Sequence, residues 1–290
     1  MPEGSDKAFQ DRIDKIHAEL NGLRSALNLE TLRTDWALGA IEGVTADIDA
    51  YHTIRRQSDY LAAFEKAEPL VSVCVATVNR SALLMERAIP SLLAQTYQNL
   101  QIVVVGDHCT DDTAQRLAAL RDRRVSFVNL PARGPYPRPG LDRWCVAGAN
   151  AMNHALSLCE GDFVTHLDDD DSATADRIET LVTAAKERRA DFLWHPFWYE
   201  THDGTWQRLG NGRLEAGQVT TGSIFYHRYF ARYPWDVHAY RLNEPGDWNR
   251  LRKIKILRPH LHFVDQPLLF HHKEQSQPVF VAYDGEQFLE

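Results

Sequence analysis

The sequence of 290 residues has only four cysteines, and no two of them are spaced as Cys-x-x-Cys. This scarcity argues against a disulfide framework and against a zinc site built from thiolates, so we expect reduced thiols. No apolar run is long enough to cross a bilayer, the longest candidates being Leu70–Ala76 and Ile102–Val105. The polar N-terminus lacks the apolar region of a signal peptide, which predicts a cytoplasmic protein, at most peripheral to a membrane.

Positive charge is also scarce, since 32 Lys and Arg stand against 40 Asp and Glu, a formal net charge of -8. Proteins that bind nucleic acid through a broad basic face have the opposite balance, so we expect no nucleic-acid partner. Hydrophobic residues make up 44% of the chain, which supports a packed core and argues against wholesale disorder.

Residues 1–68 differ in pattern from the rest of the chain and predict an α-helical hairpin or a coiled-coil pairing. Breakpoints between the two helices fit Asn28 and Thr31. The first helix carries a heptad seam and the second a looser apolar stripe. The seam consists of Phe9, Ile13, Ile16, Leu20, Leu23 and Leu27, and the stripe of Leu38, Ile41, Val44, Ile48 and Tyr51.

An apolar seam needs a partner, and three partners remain open. The hairpin can pack on the rest of its own chain, on a second copy, or on another protein. A membrane surface suits it less well. Residues 1–68 hold 8 Lys and Arg and 13 Asp and Glu, a difference of -5, which an anionic leaflet repels.

From Pro69 onward, short apolar runs alternate with helical patterns. This alternation predicts an α/β domain with a mostly parallel sheet and right-handed crossovers, over residues 69–276, followed by a tail at 277–290. Residues 131–143 are rich in Pro and Arg and predict a loop. Strands are predicted at 70–76, 101–106, 125–130 and 162–167, and helices at 81–94, 111–120 and 148–159.

Four consecutive carboxylates, Asp168 to Asp171, follow directly on the fourth predicted strand. Ligands of open α/β sheets bind at the carboxyl ends of the strands. Adjacent carboxylates repel one another, which favours a bound cation, and oxygen ligands select Mg²⁺ or Mn²⁺. The alternative is a solvated acidic turn that caps a helix starting near Asp176.

Other polar residues follow the first two strands and should lie at the same edge of the sheet. Asp107 ends the second strand, while Asn79 and Arg80 follow the first. An arginine there can meet a phosphate. The alternatives are a turn or cap residue for Asp107 and a surface charge at a helix start for Arg80.

Four motifs, in the right order from Val71 to about Arg188, resemble those of the family-2 glycosyltransferases. That family has the Rossmann-like GT-A fold and inverts the configuration of the transferred sugar. The motifs here read Val-Ser-Val-Cys-Val-Ala-Thr-Val-Asn-Arg80, Ser-Leu-Leu-Ala-Gln-Thr-Tyr97, Val-Gly-Asp-His-Cys-Thr-Asp-Asp-Thr113 and the stretch from Ala151 through Gly161 to Asp168. Gly106, His108, Cys109 and Met152 depart from the usual pattern.

The resemblance implies roles for individual residues. Asp107 would accept from the imide N–H of the nucleotide base. Asp168 and Asp170 would hold the metal and the donor, with Asp170 as the closest metal ligand. The nucleotide-sugar-binding set would consist of Thr77, Asn79, Arg80, Asp107, Asn153, Asp168 and Asp169.

The segment Asn243-Glu-Pro-Gly-Asp-Trp-Asn-Arg-Leu-Arg252 looks like the family's segment that carries the general base. By resemblance, Asp247 would take the proton from the acceptor hydroxyl, with Glu244 in reserve. The alternative for Asp247 is an N-cap of a helix at Trp248–Ile254. His271 and His272, at the end of a predicted strand Phe263–Phe270, are candidate metal ligands or two partly exposed histidines.

The resemblance therefore implies an inverting glycosyltransferase that uses Mn²⁺ or Mg²⁺ and a nucleoside diphosphate sugar, with UDP- or dTDP-sugars favoured over GDP-sugars. The acceptor would be a glycan, a lipid-linked molecule or a small molecule, and the N-terminal helices could form a homo-oligomer. Two other functions stay open. One is a non-catalytic nucleotide-sugar-binding scaffold. The other is a phosphatase with Asp168 as nucleophile, because the pattern of Asp168, Asp170 and Ser172 faintly resembles the nucleophile motif of haloacid-dehalogenase-type phosphatases.

Overall fold

The computed structural model describes residues 47–273 without a break, together with isolated helical residues between positions 12 and 38. The predicted helix breakpoints at Asn28 and Thr31, part of the heptad seam, and the tail at 277–290 lie outside the described residues. Over the part that is described, no helix is both long and apolar enough to span a bilayer.

A seven-stranded sheet forms the centre of the protein. Its strands are β1 (Val71–Thr77), β2 (Leu100–Gly106), β3 (Val125–Asn129), β4 (Phe163–His166), β6 (Phe192–Trp194), β9 (Ile224–His227) and β10 (Leu261–Phe263). Their order across the sheet is β10-β6-β9-β4-β1-β2-β3. Strand β1 pairs in parallel with β2 and β4, and β2 with β3, while β9 is antiparallel to β4 and β6. This confirms the predicted α/β class with a mostly parallel sheet.

The strand order reverses at β1, because the chain runs from β1 to β2 and β3 on one side and then returns to place β4 on the other. Such a reversal opens a crevice at the carboxyl ends of the two strands that flank it. The predicted acidic turn follows β4 and the predicted Asn79-Arg80 pair follows β1, so both lie at this crevice.

A second sheet has four strands and begins directly after the acidic turn. Its strands are β5 (Ser172–Ala173), β7 (Phe197–Glu200), β8 (Trp206–Leu209) and β11 (Leu269–His271). Their order across the sheet is β5-β11-β7-β8.

The prediction of one strand over Phe263–Phe270 is wrong, because residues 264–268 separate two short strands, β10 and β11, that belong to different sheets. Pro267 lies in this segment and lacks the N–H that a continuous ladder would need.

Helices cover the central sheet. The predicted loop at 131–143 is wrong at its end, where a helix begins at Leu141 after Gly140, whose φ is +144°. The predicted helix at 81–94 contains a π-helical turn at Leu84–Ala88. The α-helices are α1 (Ile48–Ile54), α2 (Ser58–Glu65), α3 (Ser81–Leu83), α4 (Ile89–Leu93), α5 (Thr113–Ala119), α6 (Leu141–Val146), α7 (Ala149–Leu158), α8 (Arg177–Arg188) and α9 (Gly246–Ile256).

Helices α1 and α2 are packed into the same core as the sheet, although they precede Pro69. Tyr51 is fully buried, and Tyr60 and Phe64 are nearly so. The hydroxyl groups of the two tyrosines meet a buried carboxylate of the domain: Tyr51 Oη donates to Asp191 over 2.7 Å and Tyr60 Oη over 2.9 Å. Arg55 Nε completes the arrangement at 2.6 Å from the same carboxylate. A boundary at residue 68 would therefore cut through packed structure.

The described residues of the heptad seam behave differently, because they are exposed. Ile16, Leu20, Leu23 and Leu27 keep 52%, 46%, 68% and 67% of their surface in contact with solvent. The seam thus does not pack on the domain at these positions, in contrast to Tyr51, the last residue of the second stripe.

The Asp191 contacts predict where the chain can be shortened. A chain that begins at Asp47 should keep the melting temperature of the full chain, whereas one that begins at Pro69 should unfold or aggregate. In the full chain, Asp191→Ala should cost about 3–5 kcal/mol, since it leaves Arg55 and two tyrosine hydroxyls without their buried partner. Differential scanning calorimetry should then show a melting temperature lower by roughly 10 °C.

Glu65→Ala is the matched control, because Glu65 forms only an exposed ion pair with Arg189 at 3.4 Å. Such pairs contribute about 0–1 kcal/mol. If the chain from Pro69 melts like the full chain, α1 and α2 are an appendage and the Asp191 contacts do not stabilise the domain.

Candidate active site

Arg80 joins the two strands that flank the crevice. It follows β1, and its guanidinium reaches the acidic turn after β4, with Nη1 at 3.1 Å from Asp169 Oδ1 and Nη2 at 3.0 Å from Asp170 Oδ2. Both carboxylates are nearly buried. The arginine thus supplies the counter-charge for the two middle carboxylates and ties the turn to β1.

The last carboxylate of the turn is bound from the other side by β11. Asp171 is fully buried, and its Oδ2 lies 2.9 Å from His271 Nδ1. Its Oδ1 accepts from the backbone N–H of His272 over 2.9 Å. Ligand atoms of Asp168, Asp171 and His271 all lie within 4.8 Å of one another, so these three side chains can hold a metal ion.

The electrostatics of the turn show the cost of crowding carboxylates. Burial raises the pKa of Asp168 well above its ordinary value, and the charges of Asp171 and Asp170 raise it further. Burial also raises the pKa of Asp169 to about 6, against the lowering effect of Arg80. A divalent cation would relieve this repulsion, which is why the donor set fits one.

His271 carries the opposite charge in this cluster. Burial disfavours its imidazolium, but Asp171, Asp168 and Asp170 outweigh burial and raise its pKa to about 9. The ring also stacks on Tyr199, with the centroids 5.6 Å apart. Packing and charge together fix the imidazole beside Asp171.

The structure separates the predicted metal ligands into two groups. Asp168 and His271 lie in the three-residue cluster together with Asp171, which the resemblance did not single out. Asp170, predicted to be the closest ligand, is instead paired with Arg80. The ring of His272 turns away, with Nδ1 at 3.3 Å from Glu200 Oε2 and Nε2 at 3.3 Å from Ser172 Oγ.

Arg87 is a site residue that the sequence reasoning missed. It lies in the π-helical turn, and its Nη1 donates to the backbone carbonyl of Asp170 over 3.0 Å. A π-turn changes which side chains of a helix face a neighbour and is frequent at functional sites. The available signal was the spacing from Arg80, since seven residues make two helical turns.

Asp107 lies at the end of β2, as predicted, and is only 2% exposed. The predicted loop covers it: Gly134 N–H donates to its Oδ1 over 3.0 Å, and Arg133 Nε lies 4.0 Å from its Oδ2. A side chain at Gly134 would meet Asn150 Cβ at 2.7 Å, so only glycine fits this approach.

Two predicted residues after β1 support the loops around the crevice. Asn79 has a positive φ of 51°, and its Oδ1 accepts from the backbone N–H of Thr110 over 2.7 Å. Thr77 is buried at the end of β1, and its carbonyl accepts from Asp107 N–H over 2.8 Å. Both contacts join the loop after β1 to the loop after β2.

Asn153, which lies on α7, forms hydrogen bonds with the backbone of Trp235. Its Nδ2 donates to the carbonyl of Trp235 over 2.9 Å, and its Oδ1 accepts from the Trp235 N–H over 2.7 Å. The amide thus joins α7 to the loop before α9. The sequence assigned it to nucleotide-sugar binding, whereas these contacts describe a structural side chain.

Asp247 lies in the first turn of α9, which begins at Gly246, earlier than the predicted Trp248. It is not the N-cap, since Pro245 holds that position. Burial raises its pKa to about 6, while the Trp248 N–H and the charge of His271 act in the opposite direction. The charge of His271 in the acidic cluster therefore acts on Asp247.

Glu244, the reserve candidate, is held in an ion pair. Its two oxygens lie 2.6 and 2.8 Å from Arg252 Nε, and Asn249 Nδ2 donates to Oε2 over 2.7 Å. Gly246 stands where the family commonly has Glu. A Cβ there would lie 3.0 Å from the Cys145 carbonyl and 3.4 Å from the Trp235 ring, so the start of α9 is too closely packed for a long side chain.

Comparison with known proteins agrees with this geometry. The profile of Glycosyl transferase family 2 matches residues 72–137 and 144–247, which is more than half of the chain. Glycosyltransferase GlyG of Streptococcus pneumoniae serotype 4 is 30% identical over 138 residues, which are 47% of this chain and 42% of that protein.

A second relative is the UDP-Glc:alpha-D-GlcNAc-diphosphoundecaprenol beta-1,3-glucosyltransferase WfaP of Escherichia coli. It is 25% identical over 131 residues, 45% of this chain and 47% of WfaP. The chain therefore spans less than half the length of these curated relatives.

A solved structure with the same fold is the mannosyltransferase PcManGT from Pyrobaculum calidifontis in complex with GDP-Man and Mn²⁺. The TM-score is 0.52 at 17% identity, over 81% of this chain and 70% of that one. At this identity the likeness extends to the fold alone. It confirms the predicted GT-A architecture.

The contacts of Asn153 predict how a change there acts. Asn153→Ala should leave the N–H and carbonyl of Trp235 without partners and cost about 1–3 kcal/mol of stability. Its affinity for UDP should stay within about twofold of the unchanged chain. Thermal unfolding and calorimetry measure the two quantities, and Ser157→Ala on the same helix is the control. A large loss of UDP affinity with an unchanged melting temperature would support nucleotide binding by Asn153 instead.

Proposed function

The chain belongs to glycosyl transferase family 2, and we propose that it transfers a sugar from a nucleoside diphosphate sugar to an acceptor hydroxyl, with inversion. The observation that carries this proposal is the crevice after β4. There Asp168, Asp171 and His271 lie together and Arg80 pairs with the neighbouring carboxylates, while the charge of His271 acts on Asp247. The carboxylates and the imidazole can bind a cation, the arginine adds positive charge for a diphosphate, and Asp247 can take the proton of an acceptor hydroxyl.

We infer that Asp168, Asp171 and His271 hold Mn²⁺ or Mg²⁺, with His271 losing its proton when the cation binds. A bound divalent cation neutralises the charge that develops on a departing diphosphate. Arg80 and Arg87 add positive charge at the same turn and keep it in place through Asp169 and Asp170. PcManGT has Mn²⁺ bound in its solved complex, which supports the same type of ion here.

Asp247 is the proposed general base. It takes the proton of the acceptor hydroxyl, whose oxygen bonds to the anomeric carbon while the bond from that carbon to the diphosphate oxygen breaks. A carboxylate with a raised pKa is a better base than an ordinary one, and Asp247 reaches about 6. Glu244 is less suited, because Arg252 and Asn249 already occupy both of its oxygens.

The donor is proposed to be a UDP- or dTDP-sugar. Asp107 would accept from the imide N–H of the base. Gly134 N–H already donates to Asp107 Oδ1, so the base would bind at Oδ2 once the loop around Gly134 moves aside. WfaP, by its name, uses UDP-glucose and an acceptor linked to diphosphoundecaprenol. We propose a lipid-linked glycan as acceptor here, which would place the protein at the cytoplasmic surface of a membrane.

A homo-oligomer through the N-terminal helices is proposed from the exposed seam. Ile16, Leu20 and Leu23, which belong to the heptad seam, keep 52%, 46% and 68% of their surface exposed. A heptad seam is buried best by another helix with the same repeat, which a second copy supplies. This proposal concerns assembly and does not depend on the chemistry of the crevice.

A prediction about metal binding separates two sets of candidate metal ligands. UDP should bind at least tenfold more tightly with Mn²⁺ than with EDTA, because the cation joins the diphosphate to the carboxylates. Asp168→Asn and His271→Gln should each reduce the metal-dependent gain by roughly 10–100-fold. Isothermal calorimetry measures these affinities.

His272→Gln is the matched control, since its ring contacts Glu200 and Ser172 and not the cluster. Asp170→Asn tests the ligand expected from the resemblance. If Asp170→Asn removes the metal dependence while His271→Gln leaves it intact, the cation is not bound by the three-residue cluster.

Another prediction concerns the general base of the reaction. Asp247→Asn should lower turnover by roughly 10²–10⁴-fold, because the amide cannot accept the proton. UDP affinity and melting temperature should change little, since Asp247 is not the cap of α9. In the unchanged enzyme, turnover should fall as the pH falls through about 6, where Asp247 becomes protonated.

Glu244→Gln is the comparison variant, and it should mainly lower stability through the lost Arg252 pair. Near-normal turnover of Asp247→Asn, or a larger loss in Glu244→Gln, would move the base assignment to Glu244.

A further prediction tests whether the heptad seam joins two copies of the chain. Light scattering should give the full chain at least twice the mass of a monomer. Changing Leu20 and Leu27 together to Glu should give a monomer without loss of UDP binding, because the seam lies outside the domain. Leu158→Glu, on an exposed leucine of α7, should leave the mass unchanged. A monomeric full chain would contradict self-association.

A further inference from the structure

Trp206 is the one exposed aromatic residue among the residues that the structure describes, with 38% of its surface in solvent. It is the first residue of β8, the edge strand of the small sheet. Exposed tryptophan is uncommon on a surface, since the ring contributes a large apolar area. Its position suggests that the ring has a partner outside the chain.

The surroundings of Trp206 connect it to the proposed active site. The His272 ring stands nearly perpendicular to the indole, with the centroids 5.1 Å apart, and the Phe270 ring stands likewise at 5.3 Å. The backbone N–H of His272 binds Asp171, which belongs to the proposed metal cluster. Trp206 is therefore one residue removed from that cluster.

A carboxylate accompanies the ring. Glu200 pairs with Trp206 across the β7–β8 ladder, and its side chain is 28% exposed. Glu200 Oε2 lies 3.3 Å from His272 Nδ1, which orients the carboxylate along the same surface. The result is an apolar ring with a charged acceptor of hydrogen bonds at its rim.

This combination fits the chemistry of a sugar. A pyranose has an apolar face of C–H groups, which packs on an aromatic ring, and a rim of hydroxyls that donate to a carboxylate. The strand that carries Trp206 is paired with β7 along its whole length, from Trp206 opposite Glu200 to Leu209 opposite Phe197. The ring is thus presented by a held strand and not by a loose loop.

We propose that Trp206 and Glu200 form a binding subsite for a pyranose ring of the acceptor. This inference rests on the proposed glycosyltransferase function. The donor is assigned to the crevice between β1 and β4, whereas the small sheet flanks the opposite, His271 side of the acidic cluster. A sugar on Trp206 would approach the cluster from that side.

Saturation-transfer NMR of the full chain tests this subsite, with UDP and Mn²⁺ present. The probes are the methyl β-glycosides of glucose, galactose, N-acetylglucosamine and N-acetylgalactosamine. At least one probe should bind, and Trp206→Ala should weaken it by roughly tenfold. Trp206→Phe should restore most of the affinity, and Glu200→Gln should weaken it less than Trp206→Ala does.

Leu158→Ala is the matched control, because Leu158 is 36% exposed and lies on α7, which contacts β1 and β2 of the central sheet, whereas Trp206 lies on β8 of the small sheet. UDP affinity is measured in parallel for every variant. If no probe binds, or if Trp206→Ala binds its probe like the unchanged chain while UDP binding persists, the subsite is wrong and the proposed function stands. If the unchanged chain binds no nucleotide with Mn²⁺, the proposed function itself is wrong.

Discussion

Four carboxylates in a row at the end of a buried strand repel one another, and much of the site is arranged around that repulsion. Arg80 compensates Asp169 and Asp170 from the side of β1, while His271 compensates Asp171 from β11. These contacts join the central sheet to the small sheet. Burial and the charges of Asp171 and Asp170 raise the pKa of Asp168 well above the ordinary value and outweigh His271, which lowers it. The remaining repulsion is what a divalent cation would remove.

A second buried carboxylate organises the other end of the protein. Asp191 precedes β6 and accepts from Tyr51, Tyr60, Arg55 and the backbone N–H of His260. It thereby connects α1 and α2 to the β6–β10 half of the central sheet. The two acidic centres differ in kind. Donors of the chain itself occupy the oxygens of Asp191, whereas Asp168, Asp171 and His271 form the cluster that we propose to hold a metal ion.

Local patterns in the sequence predicted the strands well, because β1, β2 and β4 are apolar runs bounded by turn residues. They also predicted that Asp107, Arg80 and the acidic turn would share one edge of the sheet. The sequence could not predict which side chain pairs with which carboxylate of the acidic turn. Arg80 pairs with Asp170 and His271 with Asp171, and these partners are about 90 to 100 residues apart in the chain. Neither the π-turn that presents Arg87 nor the Trp235 contacts of Asn153 leave a local signature. The prediction of a strand over Phe263–Phe270 failed because the apolar residues there are interrupted by Asp265, Gln266 and Pro267, and the two apolar parts join different sheets.

The central claim is a single displacement in which the crevice binds the diphosphate and Asp247 activates the attacking hydroxyl. Water can replace the acceptor in such a site, so the claim is testable without a known acceptor. Proton NMR of UDP-α-glucose incubated with the full chain and Mn²⁺ would follow the anomeric signal of the released glucose before it equilibrates. The account predicts that β-glucose appears first. Initial release of α-glucose would contradict direct displacement at this site.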